Sequence, residues 1–215
     1  MELAFTVVGA ARVPYAAVPT LAFSVRIEAP GGEDVRSILL DTQIQIAARR
    51  RRYDSESDDR LFELFGAPGD WGRTLRTLLW TRATTVVPPF QGSTTIDIQV
   101  PCTYDLDVTA SRYLDALRAG EVPLELLFSG TVFCAGPAGL QAQRISWQHE
   151  AEYRLPVAVW RETIDRHFPG TAWVRLGRDA FERLAAYKSR HALASWDEAL
   201  EALLPAGEEA ETWTR

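Results

Sequence analysis

Residues 94–108 read TTIDIQVPCTYDLDV. Ile96, Ile98, Val100, Cys102, Tyr104, Leu106 and Val108 occupy alternate positions, with Asp97, Gln99, Pro101, Thr103, Asp105 and Asp107 between them. Side chains alternate sides along a β-strand, so this pattern predicts a long strand with one buried and one solvated face. Pro101 has no amide hydrogen to give to a ladder, which places the strand at a sheet edge or a bulge.

The same period recurs on either side. Leu21, Phe23, Val25 and Ile27 alternate with Ala22, Ser24, Arg26 and Glu28, ending at the turn signal Pro30-Gly31-Gly32. Residues 38–48 alternate again, and the two runs are expected to be neighbouring antiparallel strands. A further extended stretch covers 75–87. Residues 123–133 and 140–153 form a hairpin about the turn Gly136-Pro137-Ala138-Gly139. The first twenty residues are apolar but loosely patterned. Two short helices interrupt the strands. One lies near 57–65, acidic at its start and stopped by Gly66 and Pro68; the other lies near 110–119, capped by Gly120.

After Leu155 the period lengthens. Pro156 suits the first turn of a helix, and Val157, Trp160, Ile164 and Phe168 mark one face before Pro169-Gly170 ends it. Asp179 to Arg190 forms the next helix, with Phe181, Leu184 and Ala185 inward. Ser195 and Glu198 make a capping box for a third, whose apolar side is Leu200, Leu203 and Leu204 and which Pro205 stops. The expected class is α+β: a mostly antiparallel, long-stranded sheet or sandwich with two short inserted helices, followed by a C-terminal segment of two or three helices. The expected organisation is a β domain over 1–153, a helical subdomain packed on it over 154–205, and an acidic flexible tail over 206–215.

Bulk properties bound the function. The chain of 215 residues is 47% hydrophobic and 24% charged, as for a folded globular protein. A net charge of -6 speaks against nucleic-acid binding. Lys188 is the only lysine among 23 basic residues, a chain-wide bias that marks no single surface. No apolar run is long enough to span a membrane and no secretory leader is evident, so the expected place is the cytoplasm, with Cys102 and Cys134 as reduced thiols.

The strings ARRRRYD, LFELFG, WGRTLRTLLW, PPFQG, VPCTYDLDV, GEVPLELLFSGTVF and YRLPVAVWRETIDRHFPGTAWVRLGRDAFERLAAYKSRHALASWDEALEAL run through nearly the whole chain. Together they resemble an uncharacterised bacterial family, met mainly in actinobacteria and related soil bacteria and often encoded near uptake nickel–iron hydrogenase genes. The resemblance implies an accessory, maturation or assembly role beside a hydrogenase. It carries over no catalytic residue.

No GxGxxG, Walker A, GxSxG or HExxH pattern occurs, which turns the reading away from an enzyme. Cys102 shares a face with Val100 and Tyr104 and reads as a buried thiol; Cys134, at a strand end, reads as more exposed. His149, His167 and His191 are scattered, and no cofactor or metal site is expected. Asp105, Asp107 and Glu125 are the only candidates for acid–base or oxygen-ligand chemistry, with a plain solvated strand face as the alternative. Arg49, Arg50, Arg51 and Arg52, closed by Tyr53, are the sharpest charge feature. With Trp71 they form the candidate protein-contact surface, because arginine beside aromatic groups is the composition of interface cores. The alternative for the arginines is a solvated ion-pair cluster with the acidic run Asp54 to Asp59. A protein partner or self-association is therefore expected, with an unrecognised ligand site or a structural homo-oligomer as alternatives.

Overall fold

A computed structural model describes residues 2–32, 34–103, 105, 108–136 and 139–212, without the side chains of Ser55, Trp147 and 205–212. It contains two antiparallel sheets. Strands β1 (Ala4–Arg12), β2 (Thr20–Glu28) and β6 (Ser93–Pro101) form a three-stranded sheet in the order β1-β2-β6. Strands β3 (Asp34–Ile46), β4 (Leu78–Val87), β7 (Glu121–Gly136) and β8 (Gly139–Pro156) form the second, in the order β4-β3-β7-β8, with the short β5 (Phe90–Gln91) also on β3.

Along β2, β3 and much of β7 alternate residues are buried. Leu21, Phe23, Val25 and Ile27 of β2, Ile38, Leu40, Ile44 and Ile46 of β3, and Leu124, Leu126 and Phe128 of β7 belong to one core. Phe5 of β1 stacks on Phe128 of β7 at 4.5 Å, and Phe23 of β2 meets Trp80 and Tyr153 edge-on at 5.9 and 6.1 Å. Rings from the two sheets thus interlock, so the sheets face each other as a sandwich. Each fully buried large side chain stabilises this layer by about 1.5–3 kcal/mol before chain entropy is counted.

Two expectations about strands are corrected. β2 and β3 are not neighbours: β2 pairs with β1 and β6, and the Pro30–Gly32 turn carries the chain to the other sheet. Period two identifies a buried face, and facing strands bury theirs as well as adjacent ones do. The strand at 94–108 also stops early, at Pro101. It is an edge strand, as Pro101 required. Cys102 gives its amide to Pro19 O at 2.7 Å, and Val108 precedes a helix. Tyr104, Leu106, Asp107 and the turn residues Pro137 and Ala138 lie outside the described residues.

Helix α1 (Ser55–Phe65) starts at Asp54, whose carboxylate accepts from Ser57 N at 2.8 Å, and ends at Gly66 with φ 72°. The short α2 (Trp71–Thr74) follows, and α3 (Thr109–Ala116) connects β6 to β7. Helix α4 (Val157–His167) begins directly after Pro156 and buries Val157, Trp160, Thr163 and Ile164. The chain divides into compact units at Met1–Trp173 and Val174–Arg215, so α4, which lies beyond residue 153, falls in the first.

In the second unit, α5 (Arg178–Arg190) and α6 (Trp196–Thr212) form a helical pair. Ser195 Oγ accepts from Glu198 N at 3.1 Å, and Glu198 returns a carboxylate to Ala194 N at 2.8 Å, one residue earlier than a strict capping box. Phe181 rests on Trp196 of α6 at 5.4 Å but stays exposed, and no residue of α5 is fully buried. Nor does Pro205 end α6. The helical backbone continues past it to Thr212. Among the described residues no helix is long and apolar enough to cross a membrane.

Candidate functional site

Where β3 ends, the chain turns through a 3-10 turn at Ala48–Arg50. Ala47 N donates to Pro123 O at 2.9 Å and Ala48 is buried, which pins the start of the arginine segment against β7. Each arginine then has its own environment. Arg49 donates to Gly72 O at 3.0 Å. Arg50 reaches Glu125 at 3.0 Å and Glu152 at 2.6 Å. Glu125 and Glu152 are opposite each other in the β7–β8 register, where like charges repel. The Arg50 guanidinium spans them, and the hydrogen bond to Glu152, with the charge of Glu125, raises its basicity further. Arg51 donates to Ala119 O at 2.6 Å and to Glu121 O, and its guanidinium lies 5.9 Å over the Tyr53 ring. Arg52 is exposed and has no hydrogen bond or ion pair among the described residues.

Tyr53 and Trp71 face inward. Trp71 is 8% exposed and donates Nε1 to Gly66 O at 2.9 Å. The Tyr53 hydroxyl lies 2.8 Å from that of Tyr113 and donates to Ala48 O at 2.7 Å. Tyr53 also meets Trp71 edge-on at 5.0 Å, and Phe65 meets both Trp71 and Tyr113. Burial pushes the pKa of both phenols up, so they stay neutral as a hydroxyl pair. The segment is thus a seam that ties β3 to α2, α3 and the β7–β8 pair. Arg49, Arg50 and Arg52 form its outward part. Tyr113, Glu152 and the carbonyls that receive Arg51 carried no signal in sequence, because partners 60 to 102 residues away meet only in the fold.

The acidic candidates do not converge into a described cluster. Glu125 is held by Arg50, Asp105 stands in the loop before α3 with its carbonyl accepting from Val108 N at 3.0 Å, and Asp107 lies outside the described residues. Among the described residues no group of three or more His, Cys, Asp or Glu is placed to hold a metal ion. Cys102 and Cys134 are both free and buried, so Cys134 is less exposed than its position suggested. Burial pushes the Cys102 thiol up to about 12. His149 packs on Phe5 at 5.5 Å and His191 on Tyr187 at 4.3 Å. Both ring nitrogens of His167 meet carbonyls, Thr163 O at 3.0 Å and Ala16 O at 3.1 Å, which ties the β1–β2 loop to α4.

The second unit shows a different surface. Trp196, Leu200 and Leu204 follow one another at intervals of four along α6 and therefore share a helix face. They are 42%, 47% and 64% exposed. In the same unit a groove of about 610 Å³ is lined by Ala180, Arg183, Leu184, Ala186, Tyr187 and Arg190 of α5 and by Leu203 of α6.

A model of a family of unknown function, DUF6084, matches residues 1–212. No curated protein matches the chain. Among solved structures, a Bordetella pertussis protein assigned as ApaA shares 16% identity, with 72% of this chain and 92% of that one covered and a TM-score of 0.28. A protein assigned to the late embryogenesis abundant class shares 15%, with 72% of each chain covered and a TM-score of 0.32. A protein from Archaeoglobus fulgidus shares 7%, with 72% and 95% covered and a TM-score of 0.28. Likenesses this slight inform neither fold nor activity.

Proposed function

The chain belongs to the DUF6084 family, and from that starting point we propose that it is a non-catalytic interaction protein that engages a protein partner through its C-terminal helical unit. The observation that carries this reading is the exposed stripe of Trp196, Leu200 and Leu204 on α6. An amphipathic helix ordinarily turns its apolar face into a core, and a stripe left in water is the form in which helices are received by a partner's groove. Arg183 and Arg190, which line the groove on the same unit, suit acidic groups on that partner. Arg49, Arg50 and Arg52 provide a second contact area on the first unit. The sequence strings resemble a family encoded beside uptake nickel–iron hydrogenases, and on that resemblance the proposed partner is a hydrogenase subunit and the role that of an accessory or assembly factor.

Binding of the full-length protein to purified hydrogenase subunits, followed by biolayer interferometry, tests this. The double variant Leu200→Asp/Leu204→Asp is expected to bind at least tenfold more weakly, about 1.4 kcal/mol, with an unchanged far-UV spectrum. Arg50→Ser/Arg52→Ser is expected to lose less. Absence of binding by the natural sequence, or equal binding by the Leu200→Asp/Leu204→Asp variant, defeats the proposal.

A further inference from the structure

Helix α4 presents a second face that neither the core nor the arginine segment uses. With Val157, Trp160 and Ile164 buried, its rotation is fixed. Ala158, Arg161, Glu162, Asp165 and Arg166 then point away from the core, spaced so that they share one side. Arg12 at the end of β1 and Arg118 in the α3–β7 loop close the same depression, about 570 Å³ in volume.

Its charges are built in and unbalanced. Arg161 donates Nε to Leu117 O at 2.9 Å and Nη2 to Asp115 O at 3.0 Å, carbonyls at the end of α3 where a helix favours a cation. Arg12 Nε is buried without a hydrogen-bond acceptor; Glu162 Oε1, 3.8 Å away, is too distant to serve. Arg118 and Arg166 are exposed and have neither an ion pair nor a hydrogen bond among the described residues. Four guanidinium groups thus surround the depression against two carboxylates, an excess of two positive charges in a chain whose net charge is -6. Burial and the neighbouring charge of Arg118 both lower the basicity of Arg161, although Asp115 and Asp165 partly offset them.

We propose that this depression binds the phosphate group of a small phosphorylated ligand, held by Arg118 and Arg166 at the mouth, with the Arg12 guanidinium adding positive charge at the wall. A phosphate dianion matches the charge excess, and its oxygens accept from several guanidinium donors at once, whereas a monocarboxylate leaves half the excess uncovered. Glu162 and Asp165, which would repel a second anionic group, suit hydroxyl donors on the rest of the ligand. The depression falls within the usual range for small-molecule sites, roughly 300–1,000 Å³.

Isothermal titration of the full-length protein with inorganic phosphate and with glycerol phosphate, at low ionic strength where screening is weak, tests the site. Both are expected to bind saturably at one per chain, with acetate at least tenfold weaker. Arg118→Ser/Arg166→Ser is expected to weaken phosphate binding at least tenfold. Arg36→Ser/Arg73→Ser, which removes exposed arginines elsewhere on the same unit, should leave it unchanged. In the natural sequence, phosphate should also shift the Nε–H resonance of Arg12, a readout that needs no variant. No saturable binding below about 10 mM, equal binding of acetate, equal loss in the control variant, or an unmoved Arg12 resonance overturns the proposal.

Discussion

At the scale of single residues, the most constrained position is Gly130. Its φ is 138°, and an added Cβ would stand 2.0 Å from Leu39 O on the neighbouring strand. It follows Ser129, where the β7–β8 register shifts between the Phe128↔His149 and Gly130↔Ile145 pairs. A bulge there brings β7 against β3 more closely than any side chain permits. Gly130→Ala is expected to lower unfolding free energy by about 3 kcal/mol or more, since both the dihedral and the contact are forbidden to alanine. Gly9→Ala, which meets nothing within 4 Å, should change it by less than about 1 kcal/mol. Urea denaturation of both variants checks the contrast, and a Gly130→Ala midpoint equal to that of Gly9→Ala would refute it. Nothing in the string around Gly130 announces this role, because the obstructing atom belongs to a strand some ninety residues earlier. The same is true of the Glu125–Arg50–Glu152 bridge.

At the scale of elements, α1 offers a test of local chemistry. The Ser57 hydrogen bonds hold the Asp54 carboxyl below its usual range. A depressed folded-state value means that Asp54 stabilises the fold above the carboxyl's unfolded value and loses that effect as pH falls through the folded one. Asp54→Ala should therefore melt below the natural sequence near neutrality, with the gap closing in acid. Thermal melts across that range check this, and a gap independent of pH would assign the effect to something other than the charged cap. This helix was legible beforehand because its acidic start, apolar face and Gly66 stop are all local. β2, β3, β6, β7 and β8 were legible for a similar reason, each carrying its own period of two. What local pattern leaves open is which strand lies beside which. The alternation in Leu21–Ile27 and Ile38–Ile46 is equally consistent with pairing in one sheet and with facing across a core, and only packing such as Phe5 on Phe128 decides it. The alternation continues in sequence past Pro101, but the described residues Cys102, Thr103 and Asp105 belong to no strand. At the candidate site, Tyr53 and Trp71 read as aromatics beside arginine, and both rings turn toward the core; an aromatic ring's neighbours, not its sequence context, set which way it points.

At the scale of the whole molecule, the division at residue 173 separates two kinds of helix. Helix α4 follows the last strand without a loop and contributes Val157, Trp160 and Ile164 to the same core as the two sheets. Replacing one such buried residue by alanine typically costs about 2–5 kcal/mol, and a domain's entire stability is about 5–15 kcal/mol. The chain 1–153 lacks these three together with Leu155 at the end of β8, which opens the core under them, so it is expected to lack a cooperative melt. Residues 171–177 carry no regular secondary structure and are exposed, and α5 beyond them has no fully buried residue. Cutting there removes little that the first core needs. The chain 1–173 is therefore expected to melt cooperatively within about 5 °C of the full-length protein, and limited proteolysis of the full chain should yield a stable fragment ending near that residue. Differential scanning calorimetry of the two truncations distinguishes the outcomes. A cooperative 1–153 would show that α4 only decorates the sandwich, and a 1–173 without a transition would show that the second unit is part of its stability. If 1–173 folds and loses the partner, the apolar stripe of α6 is free to act as a binding surface because the first core does not depend on it.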